Sequence, residues 1–153
     1  MILELAGEQP NDIQADGTHI LHDGIADAVN ATMRFPSGIT ADLFVSWLYP
    51  LKEQRLVVVG DRGMAVFDDR EPLDRKLAIY DNVVEWNGGA PTAASQPAQY
   101  ETLGASEPLI EELQHFADCV ASSAKPRTDG AEGLGVLRVL TACTNQLLSL
   151  IHI

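Results

Sequence analysis

The chain has 153 residues, 46% of them hydrophobic, and a formal net charge of −12 from 22 acidic against 10 basic side chains. That length fits one globular domain with a proper core, and so acidic a surface repels phosphate backbones, which argues against general nucleic-acid binding. No run approaches the ~20 apolar residues of a membrane span, and the opening MILELAGEQPND lacks the basic leader and the apolar length of a secretory signal, so a cytoplasmic location is expected.

In chain order, DIQADG reads as a short strand. IADAVNATMRF alternates, with Val29, Ala31, Met33 and Phe35 on one face and Ala28, Asn30, Thr32 and Arg34 on the other. Pro36-Ser37-Gly38 then supplies a turn, because proline presets one backbone angle and glycine the other. ITADLFVSWL continues as a partner strand with Ile39, Ala41, Leu43, Val45 and Trp47 facing one way, which makes an antiparallel hairpin.

LVVVGDRGMAVFDD raises the question of a dinucleotide site, since a strand ending at glycines is how such sites begin. A nucleotide-binding turn needs a helix after the glycines, whose amino-terminal amides hold the pyrophosphate. Here Gly63 is followed by β-favouring MAVFDD, and the spacing gives only Gly-x-x-Gly. The segment is therefore expected to be a hairpin turning at Asp61-Arg62. KLAIYD and VVEW read as two further strands, and the Gly/Ala/Pro/Ser/Gln-rich stretch 87–105 as a long surface loop.

The last third reads as helical. Ser106 precedes EPLIEELQHFADCVASS, with Pro108 in the first turn, where its missing amide costs nothing. Its apolar stripe is Leu109, Leu113, Phe116, Ala117 and Val120. KPRTDG breaks that helix, and Asp129 with Glu132 resembles a capping box for a second one, striped by Leu134, Leu137, Thr141, Thr144 and Leu148. Strands first and helices afterwards predict an α+β fold, an open and mostly antiparallel sheet with helices packed on one face. Cys119 and Cys143 lack the spacing of a disulfide framework or a zinc site, so reduced, packed thiols are expected.

FPSGITADLFVSWLYPLKEQRLVVVGDRGMAVFDD, then KLAIYD, EPLIEELQHFADCV and KPRTDGAEGLGVLRVLTA, resemble in order and spacing the carboxy-terminal half of Gfo/Idh/MocA oxidoreductases, over about residues 2–146. The branch most similar is the one acting on nucleotide sugars such as UDP-N-acetylglucosamine or its uronate. The resemblance implies an α+β domain whose open sheet is a substrate shelf and packs on a neighbouring subunit. It also implies an NAD(P)-binding Rossmann domain ahead of it in the parent enzyme. The family's hydride chemistry relies on a lysine in a Glu-Lys-Pro segment of the Rossmann half and on a histidine in the helix leading into the second half. Neither position has a counterpart here: ILELAGEQPND resembles the end of that helix, and Lys52 in PLKE and Lys125 in AKPR sit in other contexts. The tail LLSLIHI resembles a translated sequencing adapter, so 1–146 is expected to be the domain and 147–153 a non-native tail.

Four places carry candidate chemistry. Residues 52–76 hold Lys52, Arg55, Arg62, Arg70, Arg75 and Lys76 against six acids, either a local anion site or a solvated hairpin face. His19 and His22, flanked by Asp16 and Asp23, have a spacing that a divalent metal could use, but they read as loop histidines, so no metal site is assigned. His115 lies one turn after Glu111 and Glu112, as a base with an orienting carboxylate or as an ordinary helix pair, the plainer reading. Asp68 and Asp69 are consecutive at a strand end and point apart, which disfavours paired acid–base work.

SWLYPLKEQR is the preferred substrate segment: Trp47 and Tyr49 offer flat faces for a sugar or base, and Lys52 and Arg55 offer charge for a phosphate or uronate. Packing between subunits for Trp47 and a solvated loop for the bases is the competing account. The chain is accordingly expected to be the substrate-binding and oligomerising domain of an NAD(P)-dependent sugar or nucleotide-sugar oxidoreductase. It would have no catalytic or cofactor residues of its own and be inactive in isolation, with a sugar substrate and further copies of itself as partners. A stand-alone binding or assembly module and a metal-dependent hydrolase using His19 and His22 are the alternatives.

Overall fold

The structure is a computed structural model and describes residues 1–149 except 82, 88, 95–96 and 106. The chain divides into two compact units, Met1–Pro50 with His115–Ile153, and Leu51–Gln114.

The first unit begins with a short helix, α1 (Ile2–Ala6), which ends where Gly7 takes a left-handed φ of 70° and returns its amide to the Leu3 carbonyl. Three strands follow, β1 (Asp12–Thr18), β2 (Ala28–Arg34) and β3 (Thr40–Ser46), in an antiparallel sheet of order β1-β2-β3. The β2–β3 hairpin turns through Pro36-Ser37-Gly38 as expected, with Gly38 at φ 91° and Phe35 bonded to Ile39 across the turn. Register stacks Ala15, Ala31 and Leu43 in one cross-strand row and Ile13, Met33 and Ala41 in the next. Ala15, Ala31, Met33 and Phe35 are buried and form the core of this unit.

Two helices complete the described fold, α2 (Pro108–Ser122), which crosses the boundary between the units, and α3 (Gly130–Ser149). The Asp129 carboxylate caps α3, accepting the amides of Ala131 and Glu132 at 2.9 Å each. Lys125, 2.8 Å away, is the leading cause that holds this carboxyl below the usual range. Helix α3 lies on β1. There the Gln146 side chain accepts the Ala15 amide and donates to the Ile13 carbonyl. One side-chain amide thus occupies the free edge of an outer strand, where unpaired backbone groups invite association. The approach is close: a Cβ on Gly17 would lie 2.8 Å from Cδ2 of Leu147.

The face of α3 that meets the sheet differs from the expected one. Gly135, Val139, Ala142, Cys143, Gln146 and Leu147 are its buried or half-buried positions, whereas Leu134, Leu137, Thr141, Thr144 and Leu148 are exposed. The same correction applies to α2, where Leu109, Leu113, Phe116, Ala117 and Val120 are exposed and Cys119 is buried. The Ser106 position ahead of α2, and residues 150–153 of the tail, lie outside the described residues.

In the second unit β4 (Arg55–Val59), β5 (Gly63–Asp68) and β6 (Leu77–Asp81) form an antiparallel meander. Strand β7 (Val83–Asn87) pairs with β8 (Ala90–Ala94), and β9 (Gln99–Glu101) adds to β6, giving the order β4-β5-β6-β9. The expected long loop over 87–105 is thus corrected to a hairpin and an edge strand. The alanines and proline of β8 have little β-propensity, so pairing with β7 decides its conformation. The glycine corner is the hairpin expected: Gly60 donates to the Gly63 carbonyl and a strand follows. Gly63 is needed for closeness, since a Cβ there would lie 2.6 Å from the Tyr80 carbonyl oxygen. Antiparallel sheets with separate helices make the fold α+β.

Candidate substrate-binding site

In the first unit the geometry centres on Asp27, 1% exposed at the entrance to β2. One carboxylate oxygen accepts the amides of Ile20 and Leu21 at 2.6 and 2.8 Å, and the other accepts the Trp47 indole N–H at 2.8 Å. Its backbone is fixed too: the amide donates to Thr18, and the carbonyl accepts the Ser46 hydroxyl. The amides of Leu21 and Ile20, then the Trp47 indole, hold the carboxyl below the ordinary range against the upward push of burial. Charge on a buried carboxylate is tolerable when N–H groups converge on it.

Trp47 is 63% exposed although its N–H is engaged. With Ala26, Asp27, Val29, Val45 and Ser46 it lines a shallow, mostly apolar depression. The indole can therefore offer a face for stacking while its donor is spent on Asp27. Tyr49 is also exposed, its ring tilted against Phe44 with centroids 5.6 Å apart.

Lys52 and Arg55 belong to the second unit. Lys52 is bonded to Asp69 at 3.1 Å, and Lys76 takes the other oxygen of that carboxylate at 2.7 Å. Asp68 is gripped by Arg70 through Nε and Nη2. Asp68 and Asp69 thus serve different cations, as their alternation predicts. Arg70 leads in holding Asp68 below the usual range, and Lys76, followed by Lys52, does the same for Asp69. Of the bases in 52–76, those three are neutralised at short range. Arg55 stands opposite Asp68 in the ladder and lines a cleft of about 170 Å³ with Arg75, Tyr80 and Tyr100. Arg75 packs over the Tyr100 ring at 5.1 Å and donates to its hydroxyl.

His115 Nε2 accepts the Arg127 amide at 3.1 Å and stands 3.6 Å from Cys119 Sγ, which makes the ring a strut between α2 and the turn ahead of α3. A ring nitrogen occupied as an acceptor of a backbone amide is poorly placed to act as a base. His19 and His22 lie beside the Ile20 and Leu21 amides that Asp27 gathers. Among the described residues no group of three or more His, Cys, Asp or Glu could hold a metal ion. Both cysteines are free thiols, and burial pushes the Cys143 thiol up.

The residue that sequence reasoning missed is Asp27. No local pattern marks it, because its partners lie six, seven and twenty residues away in the sequence. No helix among the described residues is long and apolar enough to cross a membrane.

The sequence profile of the GFO/IDH/MocA C-terminal domain matches residues 1–66. No curated protein sequence matches the chain. Among solved structures, UDP-N-acetylglucosamine 3-dehydrogenase GnnA from Acidithiobacillus ferrooxidans is similar at TM-score 0.76 and 22% identity, over 98% of this chain and 44% of that one. The aldose-aldose oxidoreductase from Caulobacter crescentus is similar at TM-score 0.68 and 24% identity, over 97% of this chain and 42% of that one. A putative oxidoreductase from Magnetospirillum magnetotacticum is similar at TM-score 0.64 and 26% identity, over 93% and 44%. The chain therefore spans less than half the length of the solved relatives it matches. Its first 66 residues match that profile, and its fold is similar to those of the solved oxidoreductases along nearly its whole length.

Proposed function

We propose that this domain positions a sugar or nucleotide sugar, and joins copies of itself, within an NAD(P)-dependent oxidoreductase that oxidises a ring carbinol. The observation that carries the reading is the Trp47 shelf: an exposed indole face, its N–H already tied, above an apolar floor. Similarity to a UDP-N-acetylglucosamine dehydrogenase and an aldose-aldose oxidoreductase supports the substrate class. Trp47 and Tyr49 are the stacking residues. In the second unit, taken by itself, Arg55 is the base with charge to offer an acidic ligand group, in its cleft with Arg75 and Tyr100, and Lys52 is bound to Asp69.

The Gly60–Gly63 corner does not have the form of a dinucleotide turn. It leads into β5, so no helix amino terminus stands behind it to receive a pyrophosphate. Nicotinamide binding is assigned to the rest of the parent enzyme, and this domain's contribution is orientation of the reacting carbinol. Leu43 and Val45, exposed on the β3 face, are the proposed contact between copies.

The test uses the full chain in a Trp86→Phe background, so that Trp47 is the sole indole. Titration with UDP-N-acetylglucosamine should quench its emission saturably, Trp47→Ala should abolish binding measured by calorimetry, and added NADH should keep its free emission. Reduction of NAD by the chain alone, or nucleotide-sugar binding indifferent to Trp47→Ala, overturns the substrate reading. Sedimentation of the same sample as a monomer at micromolar concentration overturns the assembly reading.

A further inference from the structure

We infer that Asp27 is a positioning residue that locks the Trp47 indole and the 19–26 loop into one rigid piece, fixing the ring so that it presents its face. The claim deepens the reading of Trp47 as a substrate platform and rests on it only where a ligand is concerned. Three N–H groups from two separate stretches of chain converge on this carboxylate, each at 2.8 Å or less. The carboxylate is buried whereas the ring it holds is open to solvent.

That arrangement is unusual for an exposed aromatic. A surface tryptophan held only by packing samples several rotamers, and a ligand must then select one, at a cost to affinity. Here the bond to an ionised acceptor fixes the direction of the ring edge, so the rotamer is chosen before a ligand arrives. The same carboxylate gathers Ile20 and Leu21, and the Asp27 carbonyl holds the Ser46 hydroxyl, one residue before the indole. Loop and shelf consequently share one anchor. A displacement of the loop is transmitted to the ring through two bonds.

The experiment records the indole N–H resonance of the full chain by ¹H–¹⁵N correlation, in the Trp86→Phe background. A donor to a carboxylate should resonate downfield of an indole in water. Asp27→Asn keeps the shape, removes the charge, and should move the signal upfield, with faster hydrogen exchange at Ile20 and Leu21. An unmoved indole signal overturns the proposal. Should Asp27→Asn fail to fold, Trp47→Phe answers from the other side: it retains an aromatic face but loses the anchor, and should weaken UDP-N-acetylglucosamine binding by about tenfold, as loss of a bond to a charged group does. Undiminished binding by Trp47→Phe overturns the proposal. A shifted indole signal in a chain that binds no nucleotide sugar supports the anchor and removes only the substrate reading.

Discussion

The two units use aspartate in opposite ways. In the first, Asp27 is buried and its partners are N–H groups, so the carboxylate organises backbone and an indole. In the second, Asp68 and Asp69 sit at a hairpin end and their partners are chiefly the Arg70, Lys52 and Lys76 side chains, with the Arg70 amide also donating to Asp68. The first arrangement specifies conformation, because dipoles that converge on one point admit few geometries. The second mainly cancels charge, and pairs with one end open to solvent, as at Lys52 and Arg70, contribute little to stability. A reading guided by charged clusters alone therefore passes over Asp27: the cluster in 52–76 is largely self-neutralised, while this carboxylate stands apart from it in the sequence.

The largest expected effect comes from breaking the frame behind Asp27. Phe35 is 3% exposed and follows β2 directly. Phe35→Ala should cost about 3–5 kcal/mol, the usual range for emptying a buried aromatic site, read from the urea midpoint with the slope unchanged. A loss within about 0.5 kcal/mol, the range of surface substitutions, would show that the first unit has no tight core. In the second unit the frame is the β5–β6 approach. Gly63→Ala should cost about 1–3 kcal/mol as an overpacking change, because its new Cβ would meet the Tyr80 carbonyl, which is backbone and yields little. A neutral Gly63→Ala would mean that the two strands are less closely apposed.

How much of this was legible in the residues differs by element. The β2–β3 hairpin was readable since alternation and Pro36-Ser37-Gly38 agree. The nature of the glycine corner was readable because a cofactor turn makes a strict demand, a following helix, that MAVFDD cannot meet. The α3 face was misread because Gly135 and Ala142 contribute almost nothing to an apolar tally, yet Gly135 lies so close to the Gln9 side chain that a Cβ would stand 2.6 Å from its Nε2. Of the candidate site, Trp47 and Tyr49 were legible as aromatic faces. Asp27 was not, as its value lies in amides six and seven residues upstream and an indole twenty residues on. Lys52 was legible as a charge, but its pairing with Asp69 depends on a fold contact across 17 residues.

The smallest effect is also the sharpest test of the contrast between the units. All three carboxyls are held below their ordinary values. A depressed folded-state value gives stability that is present above the unfolded value, about 4 for aspartate, and is lost as pH falls through the folded value. Acid therefore weakens both units below about pH 4. The causes respond differently to salt. Lys76 and Arg70 act on Asp69 and Asp68 first through side-chain hydrogen bonds and then through charge. Because the Lys52 and Arg70 ends of these pairs are open to solvent, 1 M salt, with a Debye length of about 3 Å, weakens the charge part. The Leu21 and Ile20 amides act on Asp27 at bonding distance inside the fold, where mobile ions do not reach. Carboxyl resonances followed by NMR through an acid titration, at low and at 1 M salt, should show Asp68 and Asp69 moving back toward ordinary values while Asp27 stays put. Equal salt sensitivity at all three would mean that long-range charge, His22 included, governs Asp27 as well, and the division between backbone-organising and charge-cancelling aspartates would fail.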